Sequence, residues 1–190
     1  NSLVFDKQIG QQFLFIFVNF FFSNKYKNSN QTNQRIKNNT DNKYYYRSEL
    51  QTKLIKSNLK LQKIKNLIDI GSFDGRLLYD ISKSNKKIKL YGFDLMIPKK
   101  NFYKNKIKYI NTLNLNIKFD LVILSHSLFY FENLNYLFKK IKKIINSQSK
   151  IIIQIPDIKL NPFNLFLGDQ KYYFTKSSLI NIFKIYNLNL

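Results

Sequence analysis

Residues 66–78 read Asn66-Leu67-Ile68-Asp69-Ile70-Gly71-Ser72-Phe73-Asp74-Gly75-Arg76-Leu77-Leu78. A short apolar run gives way to a glycine-bounded turn, and apolar residues then resume at helical spacing, the pattern of a strand, a tight loop and a helix. At the carboxyl end of a buried parallel strand such a loop can bring its backbone N–H groups up to a ligand, and glycine permits the close approach. The stretch predicts a nucleotide-cradling turn.

Downstream, residues 88–94 form a second strand that ends in Asp94. The carboxylate stands about 20 residues past the glycine turn, where nucleotide-binding α/β domains place an acid on the ribose hydroxyls. Residues 107–110 predict a third strand, residues 111–116 a loop, and residues 119–124 a fourth strand apolar enough to be buried on both faces. Ser125-His126-Ser127 follows at its carboxyl end. Residues 133–146 carry Leu134, Leu137, Phe138, Ile141, Ile144 and Ile145 on one helical stripe, with Lys139, Lys140, Lys142 and Lys143 on the opposite, solvated face. A fifth strand is expected at residues 151–155, ended by Pro156-Asp157. Thr175 is placed to cap a helix bearing Leu179, Ile182, Phe183 and Tyr186, and a further strand is expected to start at residues 188–190.

Upstream, Ser48 predicts an N-cap with Gln51 as its capping-box partner, opening a helix with Leu50, Leu54, Leu61 and Ile64 along one side. Tyr44, Tyr45 and Tyr46 are expected to pack at the helix entrance or to roof a ligand. Residues 23–43 are polar and too poor in large aliphatics to offset their ordering entropy, so they read as a linker. Residues 13–22 are nearly all apolar, yet shorter than the roughly 20 residues that cross a bilayer. They predict a buried strand or helix packed on the domain, with a membrane-surface anchor as the lesser reading, and no integral membrane segment. The division expected is an N-terminal apolar run and linker over residues 1–43, then a folded domain over residues 44–190.

Strands and helices alternate with hardly a hairpin signal. This predicts an α/β fold: a Rossmann-like, doubly wound, mostly parallel sheet with helices on both faces, lacking a strand or two at its C-terminal edge. Ligands bind such sheets outside the carboxyl ends of the strands. Gly71, Ser72, Phe73, Gly75, Asp94, Asn111 and Ser125-His126 all fall on that edge.

Composition narrows the chemistry. Cysteine is absent and histidine occurs once, which leaves no plausible zinc ligand set and fits a reducing, cytoplasmic location. The net charge of +21 admits a nucleic-acid partner. Lysine, however, far outnumbers arginine, the better bidentate reader of phosphate, within the Lys-Asn-Ile-Phe-Tyr-rich set that an AT-rich coding sequence overproduces.

At this point the chain resembles the class I S-adenosylmethionine-dependent methyltransferases. Asp69 to Gly75 looks like their first motif, Gly92-Phe93-Asp94 like their second, and residues 119–126 like their fourth. The resemblance covers residues 44–187 and implies S-adenosyl-L-methionine as cofactor. It implies that Asp69, Gly71 and Gly75 hold the methionine end, with Ser72 and Phe73 lining the cofactor. Asp94 would take the ribose, Leu95 or Met96 would pack on adenine, and Asn111 would reach the adenine amino group. Ser125 and His126 would border the transfer centre, with His126 a candidate base of near-neutral pKa and Tyr130, Tyr172 and Tyr173 candidates for the acceptor pocket.

Two departures stand out. Phe73 occupies the place of the commonest motif's middle glycine, so either the loop takes another course or the ring turns away to pack. Phe129-Tyr130 stands where many members carry Glu-His. Methylation of a small or medium-sized acceptor is the expected function. An RNA or ribosomal-protein methyltransferase, or a non-catalytic nucleotide-binding module, are its rivals.

Overall fold

In the computed structural model, the residues described are 3–4, 13–17, 35–37, 41–96, 103, 105–156, 158–159, 162–166 and 170–188. Most of the expected linker, Asp157, Gly168 and residues 189–190 lie outside them. The elements run β1 (Leu3–Val4), β2 (Phe13–Phe17), β3 (Arg35–Lys37), β4 (Tyr44–Tyr46), α1 (Arg47–Asn58), β5 (Asn66–Ile70), α2 (Arg76–Ser82), β6 (Lys89–Phe93), β7 (Ile107–Ile110), β8 (Leu121–Ser125), α3 (Leu134–Ile144), β9 (Lys150–Ile155) and α4 (Lys176–Ile185).

Seven strands form one sheet in the order β1-β2-β9-β8-β5-β6-β7. All neighbours are parallel except β1, which runs antiparallel to β2. The apolar run at residues 13–17 is thus a strand, in register from Phe13 opposite Ile151 to Phe17 opposite Ile155.

The central strands are buried on both faces, and the period of two divides their side chains between two cores. Leu121 and Ile123 of β8 join Ile55 of α1 and Leu77, Leu78 and Ile81 of α2. Val122 and Leu124 join Leu137, Phe138, Ile141 and Ile144 of α3 and Leu179 and Phe183 of α4. Helices therefore cover both faces, as the alternating pattern predicts. The α3 stripe is buried while Lys139, Lys142 and Lys143 on its other side are exposed, and Asn133 caps it by accepting the Tyr136 N–H at 2.8 Å. Thr175 caps α4 as expected, accepting the Ser178 N–H.

The structure adds one local element and corrects one expectation. The tyrosine run is strand β4, paired antiparallel with β3, so a hairpin precedes α1. The α1 cap lies at Tyr46, whose N–H is accepted by Glu49 at 2.9 Å. Ser48 and Gln51 are buried instead, because each has a distant polar partner that a cap would forgo: Asp80 for Ser48, and Ser125 and Gln154 for Gln51.

Candidate cofactor and methyl-transfer site

Strand order reverses between β5 and β8. From β5 the chain winds outward through β6 and β7, and from β8 it winds the other way through β9. Loops leaving the carboxyl ends of β5 and β8 diverge there to opposite faces and leave a crevice. The crevice holds about 530 Å³ including its open mouth, and its lining comes from three places. Asp69, Gly71 to Asp74, Arg76 and Leu77 come from β5, its loop and α2; Ser125 and His126 come from β8 and its end; Arg47, Ser48 and Gln51 come from α1.

The loop is shaped by close contact. Gly71 has φ +88°, and a Cβ there would stand 2.2 Å from the Ser127 Cβ, so no side chain fits. The Gly71 and Ser72 N–H groups both donate to the Phe93 carbonyl, which ties the loop to β6. Phe73 keeps the left-handed backbone of the glycine it replaces, with φ +46°. The loop therefore follows the glycine course, and the residue lines the crevice rather than packing away from it. Asp94 is what holds it: one carboxylate oxygen accepts the Phe73 N–H at 2.7 Å and the other accepts the Met96 N–H at 2.8 Å. Left-handed backbone at a bulky residue costs about 1–2 kcal/mol, comparable to what a charge-assisted hydrogen bond returns.

Asp69 is 3% exposed, and its Oδ1 has no hydrogen-bond partner. Burial, reinforced by the nearby Asp94 charge, pushes its pKa up to about 8. Ser72 Oγ is likewise buried without a partner. Two orphaned polar groups in one crevice are costly unless a ligand completes them.

His126 also has left-handed backbone, φ +55°, and its N–H donates to the Gln154 carbonyl. The near-neutral pKa expected for it is corrected: burial, followed by the Arg47 charge, lowers it to about 3. Below it, Ser125 Oγ accepts from Gln51 at 2.6 Å and donates to Gln154 at 3.0 Å, joining α1, β8 and β9.

Other expected residues lie apart from the crevice. Leu95 and Met96 are exposed beyond Asp94, at 90% and 73%. Asn111 is exposed past β7. Tyr130 is exposed and edge-on to Phe129, while Tyr172 and Tyr173 line a separate small cavity with Phe129, Pro156, Gln170 and Phe174. The sequence reading missed Arg47, Ser48, Gln51 and Arg76. Ser48 donates to Asp80 at 2.6 Å and Arg76 lies 3.8 Å from the same carboxylate, so one buried acid fixes α1 against α2. Among the described residues no cluster of His, Asp and Glu is arranged to hold a metal, and no helix is long and apolar enough to cross a membrane.

Fold and crevice define an α/β domain with a nucleotide-type loop at its switch point. The family described as "Methyltransferase domain" matches residues 41–190, and the chain belongs to it, in the class I, S-adenosylmethionine-dependent architecture. No curated protein matches the chain. Among solved structures it resembles the plantazolicin methyltransferase BpumL in complex with SAH, at 19% identity and TM-score 0.55, over 73% of this chain and 61% of that one. It also resembles a candidate S-adenosyl-L-methionine-dependent methyltransferase from Methanococcus maripaludis, at 18% identity and TM-score 0.54 over 74% of each. A third is the mitomycin 7-O-methyltransferase MmcR, at 10% identity and TM-score 0.57 over 72% of this chain and 47% of that one. The chain spans about three fifths of the length of BpumL.

Proposed function

We propose that this chain binds S-adenosyl-L-methionine in the β5–β8 crevice and transfers its methyl group to a small or medium-sized acceptor. The observation that carries this reading is the pair of orphaned polar groups, Asp69 Oδ1 and Ser72 Oγ, beneath a loop held open by Gly71 and Gly75. A buried carboxyl of raised pKa without a partner suits the cofactor's ammonium, which would ionise it, and the residues present therefore fit the group.

Asp94 retains lone pairs for a ribose diol after accepting its two backbone N–H groups. Leu95 and Met96 offer exposed apolar surface for adenine, with Asn111 on the same edge. Ser125 and His126 border the transfer centre, and Tyr130 stands at the rim. When bound, the cofactor supplies an already activated methyl on a sulfonium, so the chain's work is to bind, align and exclude water. With its low pKa, His126 is neutral at pH 7 and serves as a fixed hydrogen-bonding group rather than a proton carrier. The domain over residues 44–190 carries all of these groups.

Thermal unfolding with each cofactor tests the reading. At a hundredfold excess over Kd, binding adds about 2.7 kcal/mol. At about 2–4 °C per kcal/mol for a chain of this size, S-adenosyl-L-methionine and its demethylated product should each raise Tm by about 5–10 °C. Nicotinamide dinucleotide should not. A Tm that neither methionine-derived ligand moves would refute the assignment.

A further inference from the structure

The chain has only three arginines among its 32 basic residues: Arg35, Arg47 and Arg76. Two of them meet at the Tyr46 ring, and the third is its neighbour in the chain. The Arg76 guanidinium lies 3.8 Å from the centre of the Tyr46 ring and the Arg35 guanidinium 5.1 Å from it, while Arg47 follows Tyr46 directly in the chain. Arg47 and Arg76 both line the crevice, whereas among the described residues no lysine does. Guanidinium is the planar fork that pairs with a carboxylate by two parallel hydrogen bonds, and stacking on an aromatic ring keeps that fork pre-organised.

From this convergence we infer that the acceptor is a carboxylic acid, held as its carboxylate by Arg47 on the His126 side of the crevice and methylated on oxygen; the inference rests on the cofactor reading above. Arg76 is steadied by Tyr46 and Asp80 on the loop side, next to Phe73 and Asp74, where the cofactor's own carboxylate would lie. Arg47 lines the same crevice as His126, and its charge acts on the imidazole. Its helix is fixed there by Ser48 on Asp80 and by Gln51 on Ser125 and Gln154.

The proton account points the same way. One carboxylate oxygen forms the new C–O bond as the C–S bond breaks, and the bonding pair stays on sulfur. Anion and sulfonium become neutral ester and neutral thioether, and no proton is released. The crevice needs no base for such an acceptor. His126 is a poor base, and the cofactor reading gives Asp69 to the ammonium. A hydroxyl or ammonium acceptor would instead have to lose a proton to one of them.

The test incubates the protein with methyl-labelled S-adenosyl-L-methionine and a heat-treated, filtered small-molecule extract, then treats the products with mild alkali. Methyl esters release the label as volatile methanol, whereas N-, S- and C-methyl groups and ethers do not. The expected result is volatile label, with an acceptor KM raised tenfold or more in Arg47→Gln and partly restored in Arg47→Lys. Affinity for S-adenosyl-L-methionine, measured by calorimetry in the same variants, should stay within about threefold. Non-volatile label, no label above a no-protein control, or equal loss of cofactor and acceptor affinity in Arg47→Gln overturns the inference. Calorimetry separates its failure from that of the cofactor reading: intact cofactor binding with alkali-stable product overturns the acid acceptor alone, and absent cofactor binding overturns both.

Discussion

The two shifted groups in the crevice make the pH dependence of stability calculable, and with opposite signs. Asp69 has a pKa of about 8 when folded against 3.8 when unfolded. Between those values the native state holds a proton that the unfolded chain has released. Unfolding free energy therefore falls as pH rises, by about 1.4 kcal/mol per unit. His126 has a pKa of about 3 when folded against 6.5 when unfolded. Between those values the unfolded chain holds the extra proton, so its contribution is complete above pH 6.5 and is lost at the same rate as pH falls. From about pH 4 to 6.5 the slopes cancel, and above pH 6.5 only the Asp69 slope remains. Urea unfolding of ligand-free protein from pH 4.5 to 8 should separate them through variants. Relative to wild type, Asp69→Asn should gain about 4 kcal/mol between pH 4.5 and 7.5, taking the full slope over three units. His126→Asn, in which asparagine tolerates the positive φ, should gain relative to wild type as pH falls from 6.5 to 4.5, by about 3 kcal/mol on the same slope. Saturating S-adenosyl-L-methionine should erase the Asp69 slope, because an ionised carboxylate paired with the ammonium no longer carries the proton. Wild type and Asp69→Asn running parallel across the whole range would refute the burial argument for Asp69 and remove the main support for its cofactor role.

Asp94→Ala removes the acceptor of the Phe73 and Met96 N–H groups. It should lower stability by about 1–3 kcal/mol and abolish calorimetric cofactor binding, and unchanged affinity would show that Asp94 only props the loop. Gly71→Ala combines a positive φ with a 2.2 Å clash against Ser127. A loss of about 2–4 kcal/mol in urea unfolding is expected, and a loss below about 1 kcal/mol would contradict the close approach. At residue 73 both Phe73→Gly and Phe73→Ala remove the ring, but only glycine relaxes the +46° backbone. The glycine variant should be the more stable of the two by about 1 kcal/mol, and the reverse order would place the backbone outside the left-handed region.

What was legible in the sequence was local. The β5 strand, its loop and α2 occupy one continuous stretch whose glycines and apolar spacing act on their own neighbours, and the central strands announce their burial by composition alone. The α1 side of the crevice was not legible, because what positions it is far away in the chain. Ser48 is fixed by a residue 32 positions on, and Gln51 by residues 74 and 103 positions on, so a locally reasonable reading made both of them cap residues. The hairpin was hidden for a similar reason: Arg35-Ile36-Lys37 is a strand inside a polar stretch, recognisable only by its pairing with the tyrosines. Phe73 falls between the two cases. The sequence located the altered glycine position, but the outcome there turned on a hydrogen bond from the Phe73 N–H to Asp94, 21 residues away, that balances the strain. His126 was found correctly at the end of β8, yet its pKa depends on burial and on Arg47, neither of which adjoins it in sequence. This division follows the site's own two halves. The half assigned to the cofactor is built from one loop and its neighbours, so it survives as a motif. The half assigned to the acceptor is built from a helix face whose partners are scattered, so Arg47 on that face, rather than any motif, is where this chain's specificity should be sought.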